Sequence, residues 1–145
     1  MELKIKRLSE HAVLPRRATS GSAGMDLSAA IAEPVLIPAG GRALIPCGFA
    51  IELPCADMAA LLFARSGLAT RHGVTLSNGV GLVDSDYRGE IKVGLVNLSA
   101  EPFMLQPGER IAQMVIMPVC NLPVVEVSEL AETGRGEGGF GSSGR

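Results

Sequence analysis

Apolar and polar residues alternate along most of this chain, in stretches too short to be anything but strands or single helical turns. A period of two puts every second side chain on one face of a strand. Leu3 and Ile5 alternate with Glu2, Lys4 and Lys6, which predicts a first strand. PVLIP (34–38) and RALIP (42–46) are apolar runs separated by AGG, the signal of a hairpin. CGFAIELP (47–54) alternates again. MAALLFA (58–64) is continuously apolar, and both a buried strand and a helix fit it. VTLSNGVGLVDSDYRGEIKVGLVNLS (74–99) predicts strand, turn, strand, and RIAQMVIMPV (110–119) a further strand after a Pro-Gly turn. One short helical turn is predicted near Ser66–Arg71. Eighteen Gly and nine Pro punctuate these runs, about 19% of the chain against a usual ~12%. The pattern predicts an all-β sandwich, barrel or jelly roll.

At 145 residues there is room for one domain of ordinary size. That domain is predicted to run over 1–134. The last eleven residues, RGEGGFGSSGR (135–145), change character: five Gly, two Ser and one Phe cannot make a core, and they predict a flexible arm. The net charge of −2 excludes a basic nucleic-acid or membrane-surface binder, and an aromatic content of 3% without Trp excludes a stacking platform for nucleic acid. No run approaches 18 apolar residues and the N-terminus carries no apolar leader region, so neither a membrane span nor a secretory signal is predicted. Cys47, Cys55 and Cys120 are odd in number and widely spaced, which predicts packed, reduced thiols in a cytoplasmic protein. Ten of the thirteen basic residues are Arg, the residue suited to bidentate phosphate or carboxylate binding.

Five segments carry groups suited to chemistry. In SAGMDLSAA (22–30), Asp26 sits between two apolar residues; a turn carboxylate is the plain alternative. In ARSGLA (64–69), Arg65 supplies a fork of donors, and the N–H groups of Ser66 and Gly67 open a helical turn, where anions bind well; a surface turn reads equally well. In NGVGLVDSDYRGE (78–90), Asp84 ends an apolar run, as a general base held by packing yet reaching water would; Asp, Ser and Gly are also ordinary turn formers, but Tyr87 is not. In PGERIAQMVI (107–116), Gln113 interrupts an apolar strand and must find a partner in backbone or ligand. In the tail, Gly-rich backbone beside Arg135 and Phe140 suits phosphates and a flat base, although the G-K-[ST] ending of a phosphate-binding Walker loop is missing.

In this order and spacing the five segments resemble the trimeric dUTPase family, over nearly the whole chain from Ala23 to Gly144. The resemblance implies a distorted jelly-roll subunit with one short helix, three such subunits sharing active sites at their interfaces, and Mg²⁺-assisted hydrolysis of dUTP to dUMP and diphosphate, which keeps uracil out of DNA and supplies dUMP for dTTP synthesis. It implies that Asp84 activates the water that attacks the α-phosphorus. Asn78 and the backbone around Leu82 and Val83 would read the uracil edge, Tyr87 would lie under the deoxyribose, and Lys92, paired opposite Leu82 in a hairpin symmetric about Tyr87, would touch the base edge through its backbone. Arg65, Ser66 and Gly67 would grip the phosphates and Gln113 the α-phosphate. Asp26 would sit near the metal's water shell, with no direct protein ligand to the ion. Arg135 would meet the γ-phosphate, Phe140 would stack on uracil, and Gly141, Ser142 and Ser143 would donate to phosphates as the arm closes. Many family members carry Pro where Ala64 stands here, which loosens that entry without removing a chemical group. A dCTP deaminase-like enzyme of the same fold and a non-catalytic dUTP-binding module are the alternatives.

Overall fold

The apolar run that fits both strand and helix is a strand, because neighbours on both sides complete its hydrogen bonds. In a computed structural model, which describes residues 1–139, β6 (Met58–Ala64) pairs antiparallel with β11 (Arg110–Pro118) on one side and with β8 (Gly81–Val83) on the other. None of its seven residues is exposed on either face, so it has no solvent row to keep polar and its sequence does not alternate. β2 (Met25–Ser28) closes the far edge, giving the order β2-β11-β6-β8.

Among the described residues three smaller antiparallel sheets complete the all-β fold. β1 (Lys4–Arg7) pairs with β5 (Phe49–Glu52), β3 (Val35–Ile37) with β10 (Phe103–Leu105), and β9 (Lys92–Asn97) lies between β4 (Arg42–Pro46) and β7 (Val74–Leu76). Their inner faces bury one core, with Leu27, Phe49, Ile91, Leu95, Ile111 and Met114 almost wholly out of water. The short helix α1 (Ser66–His72) follows β6 directly, one residue longer than the sequence predicts, and buries only Leu68. Asn97 is a buried polar side chain with full partners: its amide donates to the carbonyls of Ile37 and Glu101, and its oxygen accepts from Ser99. That knot ties β9 to the β3–β10 pair.

Two hairpin expectations fail. PVLIP and RALIP do turn at Gly40–Gly41, but the strands part afterwards: β3 goes to β10 and β4 to β9. The 74–99 segment holds three strands, and β8 does not pair with β9. Leu82 faces Leu61 and Lys92 faces Pro46, so the symmetric Leu82–Lys92 pairing does not exist. Strands that are neighbours in sequence here bury more apolar surface by joining different sheets, as jelly rolls do. The cysteines also divide. Cys47 is buried, whereas Cys55, in the turn before β6, and Cys120, beyond the end of β11, are exposed.

Candidate active site

The splaying of β8 from β9 opens a cavity of about 350 Å³ between them, and Asn78, Leu82, Asp84, Tyr87 and Lys92 line it together with Glu90. Lys92 therefore reaches this cavity through its own sheet rather than by pairing with Leu82. The tip is built by short-range bonds. Tyr87 N–H donates to the Asp84 carbonyl at 3.2 Å, and Arg88 donates to the carbonyls of Ser85 and Tyr87 at 2.8 and 3.0 Å. The Tyr87 hydroxyl donates to the Glu90 carbonyl at 3.0 Å. Glu90 in turn accepts from the Gly48 N–H at 3.0 Å and lies 3.8 Å from Lys92 Nζ. Asp84 itself stands exposed just past the end of β8, where a second groove lined by Ala59, Asp86, Val119 and Asn121 also reaches it. Below Glu90, burial pushes the Cys47 thiol up to about 12, and the nearby Glu90 charge adds to the shift.

A second cluster lies across the other end of the four-stranded sheet. Asp26 on β2 pairs with Gln113 on β11, which pairs with Phe63 on β6. The Asp26 carboxylate is held by two guanidinium groups, Arg65 Nε at 3.2 Å and Arg110 Nη1 at 3.1 Å. Arg65 also donates to the Arg110 carbonyl at 3.3 Å. Gln113 donates to the Ala64 carbonyl at 3.0 Å, leaving its oxygen toward Gly24, where a Cβ would stand 2.7 Å from it. Any larger residue at 24 would displace that amide. Arg17 holds the preceding loop by donating to the carbonyls of Ser22 and Ala23, both at 2.6 Å. Ser66 and Gly67 are exposed at the start of α1, immediately beside Arg65.

The two clusters of one chain do not meet. Val83 pairs with Ala60, so Asp84 stands beside the start of β6, whereas Arg65 follows its end. The register puts Asp84 level with Ala59, six strand rises from Arg65, roughly 20 Å. Arg135 forms a local turn by donating to the Gly138 carbonyl at 2.6 Å and approaches neither cluster. Phe140, Gly141, Ser142 and Ser143 lie outside the described residues. Arg110, Gly89 and Glu90 belong to these clusters and were not singled out from the sequence. Arg110 could not have been, because its partner Asp26 is 84 residues away. Glu90 and Gly89 stood within the 78–90 segment, but nothing local marks a side chain whose partner is Gly48.

Among the described residues no group of three or more His, Cys, Asp or Glu could hold a metal ion. Among the same described residues no helix is long and apolar enough to cross a membrane.

The family model described as dUTPase matches residues 10–144. A deoxyuridine 5'-triphosphate nucleotidohydrolase of Desulfitobacterium hafniense (strain DSM 10664 / DCB-2) is 53% identical over 131 residues, covering 90% of this chain and 87% of that protein. The protein of the same name from Neisseria meningitidis serogroup A is 50% identical over 146 residues, covering 99% of this chain and 97% of its own. A mutant of the dUTPase of Staphylococcus bacteriophage 80alpha, solved with dUpNHpp, superposes with a TM-score of 0.91 at 27% identity, covering 99% of each chain.

Proposed function

The chain belongs to the dUTPase family, and from that premise we propose the route by which its residues cleave dUTP to dUMP and diphosphate. One observation carries the proposal: Asn78, Leu82, Asp84 and Tyr87 line a single cavity whose mouth puts a carboxylate in water. Asp84 takes a proton from a water molecule as the water oxygen bonds to the α-phosphorus. The bond from that phosphorus to its bridging oxygen breaks, and its electron pair leaves with diphosphate. Orientation of the water supplies much of the rate, so the carboxylate needs no unusual acidity.

Asn78 and the backbone around Leu82 and Val83 read the uracil edge. Cytosine presents a donor where uracil presents an acceptor, and each buried group left unpaired costs roughly 1–3 kcal/mol. Thymine is rejected by lack of room for its methyl group, a steric exclusion. Lys92 contacts the base edge through its backbone. Tyr87 lies against the deoxyribose and fills the space of a 2′-hydroxyl.

Arg65, Ser66 and Gly67 bind the phosphates, and Gln113 holds the α-phosphate. Arg65 is roughly 20 Å along the sheet from the same chain's Asp84, and Asp84 is open to solvent. Both facts support a homotrimer in which each site combines the cavity of one subunit with the arginine cluster of another. The arm from 135 closes over the nucleotide, with Arg135 at the γ-phosphate, Phe140 on the uracil and Gly141, Ser142 and Ser143 donating to phosphates. An ordering arm suits this composition, and closing it strengthens the electrostatics inside.

A Mg²⁺ ion held by phosphates and water needs no cluster of protein ligands, and the described residues offer none. Asp26, paired with Arg65 and Arg110, would be the residue that accepts hydrogen bonds from the ion's water shell. Bound there, the ion supplies positive charge against the triphosphate. Unpaired thiols at Cys47, Cys55 and Cys120 support a reducing, cytoplasmic location.

Measuring diphosphate release from dUTP, dTTP, dCTP and UTP in parallel tests the route. Release from dUTP alone is expected. Ammonia release from dCTP would indicate the deaminase reading, and dUTP binding without turnover a non-catalytic module.

A further inference from the structure

The hydroxyl end of the Tyr87 ring packs against Gly89. A Cβ at position 89 would stand 2.3 Å from the tyrosine hydroxyl oxygen, 2.5 Å from Cζ and 2.9 Å from Cε2. Gly89 is not among the glycines with left-handed backbone, so glycine is needed here for space, not for torsion. The same ring is pinned at its tip, where the hydroxyl donates to the Glu90 carbonyl at 3.0 Å. Glu90 is anchored in turn through the Gly48 N–H at 3.0 Å. The ring therefore has a floor and a latch, both from residues outside the groups assigned to substrate.

We propose that Gly89 is the positioning residue for Tyr87, and through it a determinant of the rejection of ribonucleotides. The proposal rests on the reading that Tyr87 lies against the deoxyribose. A methyl group at 89 would push the hydroxyl roughly 1 Å, from 2.3 Å out to an ordinary contact of about 3.5 Å. The Glu90 latch then breaks, and the ring no longer fills the volume that a 2′-hydroxyl would occupy.

The chain has one Tyr and no Trp, so its intrinsic tyrosine fluorescence reports Tyr87 alone. In full-length Gly89→Ala, tyrosine anisotropy is expected to fall and acrylamide quenching to rise. The ratio of kcat/KM for dUTP over UTP is expected to fall roughly tenfold, the scale on which a pocket discriminates one small group. A merely structural role would lower the melting temperature without moving that ratio. Unchanged tyrosine fluorescence overturns the seat. Altered fluorescence with an unchanged ratio overturns the link to selectivity, and Tyr87→Leu then locates the fault. If Tyr87→Leu lowers the ratio, the reading of Tyr87 survives and only the role of Gly89 fails. If it does not, that reading has failed. Should Gly89→Ala not fold, Gly89→Ala with Tyr87→Leu removes the clash and is expected to fold; its failing as well overturns the proposal.

Discussion

Arg65 Nε lies 3.2 Å from Asp26 Oδ1, an ion pair between the end of β6 and the middle of β2, two strands kept apart by β11. Both side chains are about a quarter exposed, and Arg110 holds the other carboxylate oxygen. The pair aims a guanidinium along the sheet edge before any phosphate arrives. Asp26→Asn keeps the shape and removes the charge that orders Arg65. A fall in kcat/KM for dUTP of roughly tenfold to a hundredfold is expected, since lost preorganisation acts on the bound transition state. The melting temperature should barely move, because partly exposed pairs contribute little stability. Unchanged kinetics would remove Asp26 from the site.

Asp84→Asn separates binding from chemistry. The amide keeps the volume of the carboxylate and cannot take the proton of water. Turnover is expected to fall roughly 10²–10⁴-fold, the usual contribution of a positioned base. Affinity for a non-hydrolysable dUTP analogue, read by calorimetry, should stay within a few-fold. Near-normal kcat would contradict the assigned role.

Removal of residues 135–145 tests the arm. Among the described residues none of the buried core lies in it, so the melting temperature and the mass by light scattering should match the full chain. Diphosphate release from dUTP should be crippled. Full activity of the truncated chain would mean that the site closes without it.

Cys47 makes a prediction about alkaline pH. Its folded-state value is raised from 9.0 to about 12, so the folded chain keeps that proton where the unfolded chain gives it up. Its contribution to stability is complete below pH 9 and is lost as the pH rises toward 12. Denaturant midpoints measured in a reducing buffer should fall from pH 8 to pH 10, and Cys47→Ala should flatten that decline. At pH 8, thiol labelling should spare Cys47 in the folded protein and reach it after unfolding. Rapid labelling of native Cys47 would show that the site beneath Glu90 is open.

How far the sequence could be read varied by element. MAALLFA was ambiguous because a strand with no exposed residue on either face loses the alternation that marks a half-exposed one. The turn at 39–41 was legible because Gly signals it locally, yet its strands separate because β10 and β9 are the better partners. Lys92 lines the cavity beside Asp84, but it pairs with Pro46 and not with Leu82, so symmetry about Tyr87 is not what brings it there. The shared burial of three cysteines failed for two of them, because a side chain's hydropathy does not tell where a strand ends.

Sequence alone determined what depends on near neighbours: an all-β chain from period-two alternation, its turns, a helix start after Arg65, and the close spacing of Asp84 and Tyr87 on one tip. The tertiary structure alone decided which strands pair, that Arg110 and Arg65 converge on Asp26, that Glu90 leans on Gly48, and that the arginine cluster lies a strand's length from Asp84. Local torsion preferences act over a few residues and are written in order along the chain. Pairing and convergence join residues as many as 89 positions apart, and only the packing of the whole core selects among the registers that local pattern leaves equally good.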